Sequence, residues 1–81
     1  MVEALLIQAA EAFRLGMEGT ASEILITLTG QLEQAISGWP ANELHELNRQ
    51  LEELFAAQAG RNYLYAADIL EYRLLPLLFQ K

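Results

Sequence analysis

Apolar residues recur at helical intervals in four successive stretches of this chain, separated by glycine, proline and asparagine. In the first, Val2, Leu6, Ala9, Phe13 and Met17 fall three or four residues apart, while Glu3, Glu11, Arg14 and Glu18 lie off that stripe. This predicts an amphipathic helix from Val2 to about Leu15, rich in alanine, a strong helix former that also allows close approach of a neighbour. Gly16 and Gly19 bracket its end, since glycine takes the left-handed closing position at low cost. Thr20 followed by Glu23 ahead of an apolar run has the form of a capping box, so the second helix is expected from Ala21 to about Ser37. Its buried face would be Ala21, Ile24, Leu25, Leu28, Leu32, Ala35 and Ile36. The β-branched run from Glu23 to Thr29 also has the look of a strand. A lone strand has nothing to pair with, and helical spacing resumes from Gln31 to Ile36, so helix is the expectation. Gly30 should weaken the middle of that helix or mark a close contact with another.

Ser37-Gly38-Trp39-Pro40 is the clearest break, with Trp39 expected to fold back over the helix end. The third helix starts at Pro40 or just after Asn42 and runs to about Ala59. Leu44, Leu47, Leu51, Leu54 and Gln58 are spaced three, four, three, four, a heptad-like seam with Phe55 beside it. Glu46, Arg49, Glu52 and Glu53 lie outside the seam, and Arg49 has an acid three or four residues away on both sides. Gly60-Arg61-Asn62 is a short turn, with Asn62 a suitable cap, so the third and fourth helices should form a tight antiparallel pair. The stretch from Tyr63 to Phe79 is apolar almost all round and must be buried on most faces. Pro76 has no amide hydrogen and clashes with the carbonyl of Tyr72, so this helix should kink or end near Leu75. The expected fold is all-α: one domain over residues 1–81, a four-helix antiparallel bundle of two helical hairpins. Ala21-Ser-Glu-Ile-Leu25 echoes Ala66-Ala-Asp-Ile-Leu70 at an offset of 45, which fits either a duplicated hairpin or coincidence in an alanine- and leucine-rich chain.

Composition adds a question of assembly. The 81 residues are 53% hydrophobic and include no cysteine, hence no disulfide or thiolate metal site. For a domain this small, burial barely offsets an ordering cost of roughly 1.5 kcal/mol per residue. The apolar excess therefore favours a second copy, a homodimer. The net charge is −6, from 11 acidic and five basic residues. That argues against nucleic acid and anionic membrane as partners, and Arg14, Arg49, Arg61, Arg73 and Lys81 are spread singly. The start lacks a basic leader, and no apolar run approaches the roughly 18 residues of a membrane helix. A cytoplasmic protein is the expectation.

Candidate chemistry is sparse. His45 is the one histidine, without a partner motif for metal or base catalysis, and reads as a solvent-facing helical residue. Asp68 and Glu71 share a face with Tyr65 and Tyr72; together they form either a cation or acid–base site or the wet stripe of a mostly buried helix. Arg73 has Ile69, Leu70, Pro76 and Leu77 at helical spacing, so it either snorkels to water or meets a carboxylate from another helix or subunit. The glycines are scattered and build no phosphate loop, and no nucleophile motif occurs. Neither catalysis, cofactor nor metal is expected. The expected interface is Tyr65, Asp68, Glu71, Tyr72, Arg73, Leu77, Leu78 and Phe79.

The segment Tyr63-Leu-Tyr-Ala-Ala-Asp-Ile-Leu-Glu-Tyr-Arg-Leu-Leu-Pro-Leu-Leu, about a fifth of the chain, resembles a C-terminal stretch of small bacterial helical proteins of unknown function. Their run has the form Ala-Asp-x-Leu-Glu-Tyr-x-Leu-x-Pro-Leu. The resemblance implies a bacterial source and an all-helical domain, and carries no activity. It departs at Arg73, where an acid stands in that pattern. The function expected is a non-catalytic helical protein-interaction module, an adaptor or small acidic chaperone-like protein, that takes an amphipathic helix of a partner. The alternatives are a structural self-assembly unit, or a small-molecule or metal-binding bundle using Asp68, Glu71 and the tyrosines.

Overall fold

The computed structural model describes residues 2–79, and every regular element in that range is helical. The elements are α1 (Val2–Arg14), α2 (Glu18–Ala35), α3 (Ala41–Ala59) and α4 (Tyr63–Asp68). The last continues through a π-helical segment (Ile69–Leu74) into α5 (Leu75–Phe79), so 63–79 is one unbroken helical stretch, called the last helix below. Among the described residues no helix is long and apolar enough to cross a membrane. The run Glu23–Thr29 is helical, and the Thr27 and Thr29 hydroxyls donate back to the carbonyls of Glu23 and Ile26. Such back-bonding satisfies a threonine hydroxyl on a helix surface.

Helices α1 and α3 end in the same way. Met17 N–H donates to the Ala12 carbonyl at 2.8 Å and Gly16 N–H to the Phe13 carbonyl at 3.1 Å, with Gly16 left-handed at φ 74°. Asn62 N–H donates to the Ala57 carbonyl at 2.8 Å and Arg61 N–H to the Gln58 carbonyl at 3.1 Å, with Arg61 left-handed at φ 59°. Both are Schellman closures. Each residue of the second lies 45 positions after its counterpart in the first, so the sequence echo extends to the backbone. In the second turn the left-handed position belongs to Arg61 and not to its neighbour Gly60, at a cost on the order of 1 kcal/mol.

The first closure also displaces the expected start of α2. Its cap is Met17, without a side-chain hydrogen bond, and its first residue is Glu18. Thr20 therefore lies inside the helix, and the Thr20–Glu23 capping box does not form. The Gly16 closure has already turned the chain, so the Met17 carbonyl receives Ala21 N–H at 2.9 Å and the helix begins at once. The break after α2 is a turn closed by Trp39 N–H on the Ile36 carbonyl, with Gly38 left-handed at φ 87°. Trp39 packs against the core as expected. Pro40 caps α3, and the Asn62 side chain caps α4 by accepting from Tyr65 N–H at 3.4 Å.

The core is built from Leu6, Ala9 and Phe13 of α1, Leu25, Leu28 and Leu32 of α2, Leu47 and Leu54 of α3, and Ala66, Ala67, Ile69, Leu70 and Leu74 of the last helix. α1 packs against α2 and the last helix, and the last helix packs against both α1 and α3, whereas the α2 and α3 backbones seldom come close. The apolar last helix thus finds cover on two sides inside one chain. Phe13 stacks on Tyr63 with ring centres 5.6 Å apart, and the Tyr63 hydroxyl donates to Glu18, tying the two turns together.

Candidate functional site

Two surfaces differ from an ordinary solvated helix face. One is a charged cleft between α3 and the last helix. The other is an apolar groove between α2 and α3.

The cleft is open and about 810 Å³ in volume. Its α3 wall carries Glu46, Arg49, Gln50 and Glu53, which helical spacing of three, four and seven brings to one face. The opposite wall carries Tyr65, Arg73, Pro76 and Leu77. Glu53 is the hub. It accepts the Tyr65 hydroxyl at 2.9 Å and the Arg73 guanidinium at 2.5 Å, and lies 3.9 Å from Arg49. The Arg73 guanidinium also sits over the Tyr65 ring, 5.4 Å from its centre, within range of a cation–π contact. The Tyr65 hydroxyl, and after it the Arg73 charge, hold the Glu53 carboxyl below the usual glutamate range. Glu46 is lowered too, first by the Gln50 amide and then by Arg49, whose guanidinium is raised in turn. Gln50 is the buried polar side chain here, 6% exposed; its amide donates to Glu46 while its Oε1 has no partner among the described residues.

Arg73 therefore meets a carboxylate across helices, and the carboxylate is Glu53 of α3. Asp68 and Glu71 lie on the other side of the last helix, where Arg14 of α1 bonds both. The Arg14 guanidinium is raised, chiefly by its bond to Glu71. The eight residues singled out from sequence thus divide among different surroundings. Tyr65, Arg73 and Leu77 line the cleft. Asp68 and Glu71 serve the α1 contact. Leu78 is half-buried against the core, while Tyr72 and Phe79 point outward, 67% and 51% exposed. His45 is exposed on α3. Among the described residues no three histidine or acidic side chains converge in a way that holds a metal ion.

The groove is smaller, about 230 Å³, and mostly apolar. It is lined by Ser22, Leu25, Ile26 and Thr29 of α2 and Phe55 and Gln58 of α3. A hydrogen bond from the Gln58 amide to the Ser22 hydroxyl, 2.8 Å, closes one end. Further along the groove Ile26 is 73% and Phe55 43% exposed.

The sequence did not name Glu53 as the partner of Arg73, and the groove it led us to expect was not located between α2 and α3. The spacing of Glu46, Arg49, Gln50 and Glu53 was a usable signal, because four polar residues on one helix face are positioned to meet a neighbour as well as water. Ile26 gave a weaker one, being a large aliphatic residue outside the face that α2 buries. No protein-family model, curated protein or solved structure matches the chain.

Proposed function

We propose that this chain is a non-catalytic helical protein-interaction module, an adaptor or chaperone-like unit of two antiparallel hairpins, which takes an amphipathic helix of a partner in the groove between α2 and α3. The observation that carries the proposal is the exposure of Ile26 and Phe55 on facing walls of one groove. Two large side chains left in water beside each other are an unfilled version of the helix contacts that bury the rest of the core. An amphipathic segment with apolar residues three and four apart would cover both. The charged cleft is better suited to holding the molecule together, since its ionic groups already bond to each other.

Self-association is the second reading, favoured by the outward-facing Tyr72 and Phe79 on the last helix. A homodimer through that face leaves the groove free, so the two are compatible. The test is binding of fluorescent amphipathic helical peptides, followed by anisotropy, to the native chain and to an Ile26→Ser/Phe55→Ser variant. Both residues are exposed, so the variant keeps its helical circular dichroism. Binding is expected to fall at least about tenfold for the loss of two apolar anchors. Equal binding by both proteins, or no binding by either, removes the groove from the function. Sedimentation equilibrium on the same samples reports whether the free chain is a monomer or a dimer.

A further inference from the structure

The partner of the groove has a charge as well as a shape. We infer, on the reading that the groove is a docking site, that it selects a basic amphipathic helix, one whose apolar stripe is flanked by lysine or arginine.

The inference comes from where the chain places its own cations. Arg14 bonds Asp68 and Glu71, Arg49 bonds Glu46 and lies near Glu53, and Arg73 bonds Glu53. All three arginines serve the faces that α1 and α3 turn toward the last helix. None serves the groove. Helix α2 contains Glu18, Glu23 and Glu33 and no lysine or arginine. Glu18 receives the Tyr63 hydroxyl. Glu23 and Glu33 make no ion pair among the described residues, and neither does Glu52 of α3.

Helical spacing places these three around the groove. Glu23 stands three residues before Ile26, Glu33 four after Thr29, and Glu52 three before Phe55. Each is one turn from a lining residue, and each is exposed. An apolar floor with an uncompensated acidic rim complements a helix of opposite flanking charge, which orients the encounter and discourages acidic competitors. The same charges disfavour a second copy as the occupant. The chain carries −6 overall, and its own α2 and α3 would bring more glutamate to the rim. Arg61 lies in the turn beyond Gln58, so the positive residues of the partner belong toward the Glu33 end.

Three helical peptides with one shared apolar face, flanked by lysine, glutamine or glutamate, test this by anisotropy at low and high salt. The lysine peptide is expected to bind on the order of tenfold tighter than the glutamine peptide at low salt, with the gap shrinking as salt screens the rim. A Glu23→Gln/Glu33→Gln/Glu52→Gln variant should bind both alike. If lysine and glutamine peptides bind the native chain equally, and both depend on Ile26 and Phe55, the charge inference is overturned while the docking reading stands. If no peptide binding depends on Ile26 and Phe55, the docking reading itself fails. A dimer abolished by the Ile26→Ser/Phe55→Ser variant would make a second copy the occupant and also overturn the inference.

Discussion

Glu53 joins three side chains from two helices: it accepts from Tyr65 and Arg73 of the last helix and lies near Arg49 of its own. Because its carboxyl is held below the usual glutamate range, folding is favoured by its ionised form. That contribution is fully present above the ordinary carboxylate range. It is lost as pH falls through the depressed folded value. Glu46, lowered by Gln50 and Arg49, titrates in the same sense and adds to the same acid limb. Tyr65→Phe removes the largest cause of the Glu53 shift. Its thermal midpoint should lie below that of the native chain at neutral pH, and the gap should narrow as the pH is lowered past the carboxylate range. A gap that stays constant with pH would show that the hydroxyl does not act through this carboxyl. The sequence made the need of Arg73 for an acid legible, because none of its helical neighbours could serve. It could not name Glu53, because the choice between α1 and α3 as the neighbour on that side depends on packing.

At the scale of elements, the apolar spacing and the glycine and proline breaks located all four helices. The details that failed were those where the backbone decides. The capping box at Thr20 loses to the closure at Gly16, which supplies a helix start three residues earlier. Of the two outcomes expected at Pro76, the helix does not end there. Instead the turns just before it widen, and Leu75 N–H reaches back five residues to the Leu70 carbonyl. The wider turn gives the proline ring room beside the preceding carbonyls that α geometry denies it. Leu75, Leu77 and Leu78 are half-buried against the core, an apolar gain that favours continuing the helix and that the local sequence does not show. Gly30 is a simpler case. A Cβ built there meets nothing within 4 Å, so its place in α2 reflects no close helix contact. Gly30→Ala should stabilise the fold by about 0.5–1 kcal/mol through backbone entropy, measured by denaturant unfolding. A loss of stability instead would mean that α2 needs to bend at this point.

For the molecule as a whole, two like closures join helices that pack unlike one another. The same closure recurs at an offset of 45 residues, yet α1 lies against the last helix while the α2 and α3 backbones seldom come close. The likeness of the two closures was faintly legible in a five-residue echo; the unequal packing was not, because it depends on which pair of faces wins the core. It leaves α2 fastened on one side by α1 and, across to the other pair, by the bonds of Glu18 to Tyr63 and Ser22 to Gln58, both near its start. The last third of α2, beyond Thr29, therefore has the least to hold it shut over time. Amide hydrogens in that part should exchange with solvent faster than those of α1 or the π segment, since a helix held from one side opens by itself at lower cost than one clamped between two. A ligand seated between α2 and α3 would slow that exchange, whereas uniform protection along all four helices would mean that the open groove carries no local freedom.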